Sequence, residues 1–169
     1  NNRGTAWRSL GNYQEAIANY NRAIELGATD DYPYYRRGLC HYDLNNQEAA
    51  IADFTKTIEI TANNVNAYSW RGRTYYQQKN YQLAIEDFNK EIELVNSEGK
   101  IDAYLRRGDA YFDAGKYQEA LGDYIEVIQA RTDYVLVYRK IGLANHYLRQ
   151  YDLAIEAFDK ALTLKPDYY

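Results

Sequence analysis

Apolar positions along this chain follow a short period nested inside a long one. In the stretch 48–60, Ala50, Ile51, Phe54 and Ile58 stand at the i, i+1, i+4, i+8 spacing of one helix face. The set recurs as Ala16, Ile17, Tyr20, Ile24; as Ala84, Ile85, Phe88, Ile92; as Ala120, Leu121, Tyr124, Ile128; and as Ala154, Ile155, Phe158, Leu162. Twelve residues before each alanine is a glycine: Gly4, Gly38, Gly72, Gly108 and Gly142, spaced 34, 34, 36 and 34 residues apart. Between glycine and alanine lie helix breakers: Gly11-Asn12, Asn45-Asn46, Lys79-Asn80 and Gly115-Lys116. Gly or Asn at such a point adopts the left-handed conformation that ends a helix. Each unit therefore predicts two helices, and the small residues mark where they cross closely. One helix pair buries too little to stand alone, so the units must stack into an all-α solenoid.

The 34-residue period, with Leu-Gly or Arg-Gly in the first helix and Ala-Ile-x-x-Phe/Tyr in the second, resembles the tetratricopeptide repeat (TPR) family. The closing Lys160-Ala161-Leu162-Thr163-Leu164-Lys165-Pro166 is similar to that family's repeat ending. The resemblance spans the chain and implies a right-handed superhelical solenoid of antiparallel helix pairs, about five units with the first incomplete. Unit limits fall near 1–30, 31–64, 65–98, 101–134 and 135–168, in a single array expected to be part of a longer protein. Asp31-Tyr32-Pro33-Tyr34-Tyr35 has its counterpart in Pro166-Asp167-Tyr168-Tyr169, which reads as the start of another unit. Gly99-Lys100 supply the two extra residues and read as a lengthened loop. The family's leucine before the glycine is replaced by Arg3, Arg37, Arg71 and Arg107, with Ile141 in the last unit. The small residue expected late in the second helix is Thr57, Glu91 and Val127 in the middle units.

The arginine column needs a partner, because arginine is rarely buried unpaired. Sixteen residues after these positions stand Asn19, Asp53, Asp87, Asp123 and Ala157, so the charge leaves both columns in the same unit. An antiparallel hairpin would place the columns side by side. Structural ion pairs are therefore expected within each unit: Arg37–Asp53, Arg71–Asp87 and Arg107–Asp123. Pairing between units would instead leave Asp123 facing Ile141.

Composition narrows the chemistry. The chain has 169 residues, 20 Lys+Arg against 24 Asp+Glu, and a formal net charge of −4, which argues against a duplex nucleic-acid binder. One cysteine excludes an internal disulfide and favours the cytoplasm or another reducing compartment. No apolar run reaches the ~18–20 residues of a membrane span, so no membrane insertion is expected. No metal-ligand spacing, phosphate-cradling loop or cofactor motif is present, and no catalytic residues are assigned. His41 shares a column with Trp7, Tyr75 and Tyr111, and Cys40 with Ala6, Thr74, Ala110 and Ala144. Both read as packing residues, and the protein reads as no enzyme. Of 20 tyrosines, 12 occupy repeat columns.

Function then falls to a surface. On a helical wheel the columns of Tyr35, Arg36 and Leu39 share one side of each first helix, opposite Tyr34, Arg37, Gly38 and His41. In the resembled family that side lines a concave, peptide-holding groove. Carried over, the groove comprises Tyr35, Arg36, Leu39, Tyr42, Trp70, Arg73, Tyr76, Leu105, Arg106, Asp109 and Phe112, continuing to Arg139, Lys140, Leu143 and Tyr147. These columns carry a small basic excess and many aromatics, suiting a protein or peptide ligand with apolar anchors and acidic groups. Chaperone-binding members hold a C-terminal acid with a clamp whose positions here are Tyr35, Leu39, Trp70, Asp102 and Arg106; only Arg106 conforms. Two alternatives stand beside the groove. One is an assembly module self-associating through Ala154, Ile155, Phe158, Ala161 and Leu162 of the C-terminal unit; the other is single-stranded RNA stacked on aromatics and arginines.

Overall fold

In a computed structural model, which describes residues 2–166, every described element is a helix. The chain divides into two compact units, Asn1–Leu94 and Val95–Tyr169. The first holds α1 (Asn2–Ser9), α2 (Tyr13–Glu25), α3 (Tyr32–Asp43), α4 (Gln47–Ile60), α5 (Val65–Gln77) and α6 (Tyr81–Leu94). The second holds α7 (Ser97–Asp113), α8 (Tyr117–Ala130), α9 (Val135–Tyr147) and α10 (Tyr151–Leu164). Within each unit every helix packs on its neighbour in sequence, and α3 also touches α5.

The turns inside the hairpins have the expected left-handed residue: Gly11, Asn45, Lys79 and Gly115, with φ between 58° and 76°. Arg149 at φ 61° performs the same turn before α10. The glycine column has a specific neighbour. A Cβ on Gly38 would lie 2.8 Å from Cε1 of Phe54, and one on Gly72 2.8 Å from Phe88. Gly108 stands equally close to Tyr124, and Gly142 meets Phe158. Each glycine is thus the seat for the ring sixteen residues later, and Phe54, Phe88, Tyr20 and Tyr124 are essentially inaccessible. The ring's burial, worth roughly 2–3 kcal/mol, requires the missing side chain.

The two inserted residues depart from expectation. Gly99 and Lys100 are helical, forming part of a lengthened α7 instead of a loop. The Asn96 side chain accepts a hydrogen bond from Gly99 N at 3.2 Å, so an N-cap moves the helix start upstream. Asn64 caps α5 in the same way at 3.1 Å and also donates to Asp31 Oδ2 at 2.7 Å. The expected extra unit start at Asp167, Tyr168 and Tyr169 lies outside the described residues.

Two glycine substitutions separate packing from helix propensity. Gly72→Ala is expected to destabilise by about 1 kcal/mol or more, since overpacking of ~1–3 kcal/mol exceeds the propensity gain of ~1. Gly122→Ala, where a Cβ meets nothing within 4 Å, is expected to stabilise by about 0.5–1 kcal/mol. Urea denaturation of both variants measures the contrast.

Candidate functional site: the first-helix face and the pairs beneath it

Below the surface, the arginines of the first helices reach carboxylates on the second. Arg37 donates from Nε and Nη2 to Asp53 at 2.8 and 2.6 Å. Arg71 does the same to Asp87 at 2.9 and 2.7 Å, and Arg107 to Asp123 at 2.8 and 2.5 Å. These are bidentate pairs within one hairpin, with the aspartates only 5–6% exposed. A third bond was not foreseen: the Nη1 of Arg37 donates to Asn21 Oδ1 at 2.6 Å, and that of Arg71 to Thr55 Oγ1 at 3.1 Å. Those acceptors stand sixteen residues before their arginine, mirroring the aspartate sixteen after, so the signal was present as a second column. The guanidiniums also lie over Tyr34, Tyr68 and Tyr104 at 5.4–5.7 Å, which explains one tyrosine column. Arg3 is exposed, and the Asn19 amide bonds to Glu15 O at 2.6 Å instead of to Arg3.

The hydrogen bond to Asp53 holds the Arg37 guanidinium above its ordinary pKa, and Asp123 does so for Arg107. Burial pushes the Asp87 and Asp123 carboxyls upward, opposed by their arginines. At neutral pH the short bidentate contacts identify charged pairs. Burial drives the Cys40 thiol up to about 11, so it stays protonated and is no nucleophile. His41, with Nε2 4.0 Å from Asp53, has its pKa lowered, chiefly by burial.

On unit one, the first-helix face gathers Tyr35, Arg36, Tyr42, Trp70, Arg73 and Tyr76, all half-buried. Tyr42 meets Trp70 edge-on at 4.9 Å and accepts a hydrogen bond from Gln77 at 2.8 Å. Arg73 lies 4.7 Å over the Trp70 ring, and Tyr76 packs on Tyr81. Arg36 lies between Tyr32 and Tyr35, with Nε buried and without a hydrogen-bond partner. Arg8 is tied to Asp43 at 2.8 Å. Leu39, expected among the contacts, is a correction: at 4% exposure it forms the floor with Ala50 and Phe54, under Tyr35, Tyr42 and Trp70.

On unit two the same columns place Leu105, Arg106, Asp109 and Phe112 half-buried. Asp109 accepts from Tyr124 Oη at 2.9 Å and from Lys140 Nζ at 2.7 Å, so its charge is already met. Phe112 packs against Tyr117 and Tyr147, which stack on each other at 4.7 Å. Arg139 is exposed and Leu143 half-buried. Near the C-terminus Ala154 and Ala161 are buried, whereas Ile155 and Leu162 are exposed. Among the described residues no metal-holding group of His, Cys, Asp and Glu occurs, and no helix is long and apolar enough to cross a membrane.

This helix-pair geometry defines a class, the all-α superhelical repeat proteins. The chain belongs to the tetratricopeptide repeat family: a TPR repeat profile matches residues 4–45, 40–79 and 108–148, and two tetratricopeptide repeat profiles match 65–97 and 135–168. Among solved structures, MamA has a TM-score of 0.88 at 24% identity, covering 96% of this chain and 94% of that one. YrrB, described as a TPR protein with an unusual peptide-binding site, has 0.88 at 22% identity, covering 98% and 84%. MamA 41-end from Desulfovibrio magneticus RS-1 has 0.87 at 19% identity, covering 98% and 92%. Comparison with curated proteins found no match.

Two outcomes are expected from the buried pairs. Asp87→Ala leaves Arg71 buried without its carboxylate and is expected to cost about 3–5 kcal/mol in urea denaturation. For His41 the neutral form is favoured in the fold, so its contribution is complete above about pH 6.5 and is lost as pH falls towards the lower folded pKa. His41→Tyr, the ring found at Tyr75 and Tyr111, is expected to flatten the stability profile on the acid side of pH 6.5.

Proposed function

We propose that this protein is a non-catalytic protein–protein interaction scaffold that binds a peptide or partner helix on the first-helix face of its repeats. The single observation that carries the reading is the set of side chains on the first-helix face of unit one. Four aromatic rings, Tyr35, Tyr42, Trp70 and Tyr76, lie half-buried on α3 and α5, and Arg36, which lies over Tyr32 and Tyr35, pairs with no carboxylate among the described residues. Aromatic and arginine side chains are the types that dominate binding hot spots. Rings already braced against Phe54, each other and Tyr81 lose little entropy when a ligand docks. The ligand class follows: apolar or aromatic anchors over the rings, with a carboxylate placed to meet Arg36. Asp109, bonded to Lys140 and Tyr124, contributes orientation and no free negative charge on unit two. YrrB, a TPR protein with an unusual peptide-binding site, supports a peptide as the kind of ligand by likeness of fold.

A panel of labelled peptides varying in acidic and aromatic content tests this by fluorescence anisotropy. Acidic peptides with aromatic anchors are expected to bind, and Arg36→Glu and Tyr76→Ala each to weaken them at least about tenfold with helicity unchanged. Unchanged affinity in both variants removes this face from the function.

A further inference from the structure

A second feature lies on unit two, on the side of the second helices. In unit one the space between α2 and α4, above α3, is filled by the Arg37 guanidinium held by Asn21 and Asp53. Between α4 and α6 it is filled by Arg71, held by Thr55 and Asp87. The corresponding positions between α8 and α10, above α9, are Ile125, Ile141 and Ala157. All three members of the arginine triad are exchanged together. The aromatic or histidine column is also reduced there to Asn145, and Gly122 stands where other units carry Ala or Glu. Four of these five exchanges remove bulk, and the space is left open as a groove of about 940 Å³. Leu121, Ile128 and Leu153 complete its apolar lining, Tyr138 lies in it without the arginine its column elsewhere carries, and a Cβ on Gly122 would meet nothing within 4 Å.

We propose that this groove binds a basic amphipathic helix of a partner protein. Its apolar lining runs along α8 from Gln118 to Ile128, about 15 Å at helical rise, which suits roughly three turns of a docked helix. Ile125 and Leu153 are 42% and 51% exposed, so the lining is available. The charge of the walls selects the partner. Helix α8 carries Glu119, Asp123 and Glu126 with no Lys or Arg, and α10 carries Asp152, Glu156 and Asp159 against Lys160 alone. Asp123 is neutralised by Arg107; the charged residues that line the groove itself are Glu156, Asp159 and Lys160, and as neither acid forms an ion pair among the described residues the rim is net acidic. An apolar stripe flanked by lysine or arginine complements this surface. A second copy of the chain fits less well, since its net charge is −4, its second helices are all acidic, and Arg8, Arg37, Arg71, Arg107 and Lys140 of its first helices are already paired with aspartates.

The probe is a synthetic helix of about sixteen residues, with Leu at i, i+3, i+4 and i+7 repeats and Lys on the flanks, titrated by fluorescence anisotropy. The companion probe replaces Lys by Glu. The triple variant Ile125→Asn, Ile141→Arg, Ala157→Asp reinstalls the triad the other units carry and leaves net charge unchanged. Saturable binding of the Lys peptide, none of the Glu peptide, and at least about a tenfold loss in the triple variant are expected. Gly122→Phe, which fills the groove from an open helical position without changing charge, is expected to produce the same loss and serves should the triple variant not fold. Equal binding by the filled variants shows non-specific attraction to an acidic surface and overturns the groove. Equal binding of the Glu peptide overturns the basic partner, and absence of Lys-peptide binding overturns the proposal.

Discussion

The structure depends on a guanidinium that has to be satisfied where water is scarce. An arginine with its head between helices presents donors in a fixed planar fork, and each one left orphaned is costly. Asp53 and Asp87 take the two parallel bonds from inside the hairpin, and Asn21 and Thr55 take the remaining one from the preceding second helix. One side chain thereby ties a hairpin to itself and to its predecessor. The next residue along enforces the same register, for Gly38 receives Phe54 just as Arg37 receives Asp53. On α3, α5 and α7 two consecutive residues therefore specify the crossing, one by charge and one by shape.

This division of labour frees the opposite side of the first helices. Packing occupies the arginine, glycine and tyrosine columns, leaving Tyr35, Arg36, Tyr42, Trp70 and Tyr76 to vary on unit one. The edge contact of Tyr42 with Trp70 and the packing of Tyr35 on Phe54 and of Tyr76 on Tyr81 brace this face, on which Arg36 pairs with no carboxylate among the described residues. In unit two the last hairpin gives up the arginine device entirely. Its Ile141 and Ala157 pack without polar demands, and the volume that the fork and its acceptors fill elsewhere becomes groove. The loss of a stabilising network and the opening of a surface are one event.

The pattern 34, 34, 36, 34 was legible because stacked helix pairs need the same small and large residues at every crossing, so packing writes itself as columns. The Arg–Asp partners were legible for the same reason, since their charges disappear from both columns together at Ile141 and Ala157. Leu39 shows that a helical wheel gives direction but not depth: it shares the column direction of the first-helix face, yet it is buried with Ala50 and Phe54, packed against Tyr35, Tyr42 and Trp70. The glycine of Gly99-Lys100 suggests a loop, whereas the Asn96 cap, a local hydrogen bond, makes both residues helical.

By itself the sequence determined the repeat, the helix hairpins, their left-handed turns and the partners of the buried charges. All of these follow from local conformation and from the period of packing. The tertiary structure alone decided which side chains stay accessible, that Asp109 is already neutralised, and that the exchanges around Ile141 leave open space instead of collapsing. Those outcomes depend on how side chains from three helices share one volume, and no single column records a volume.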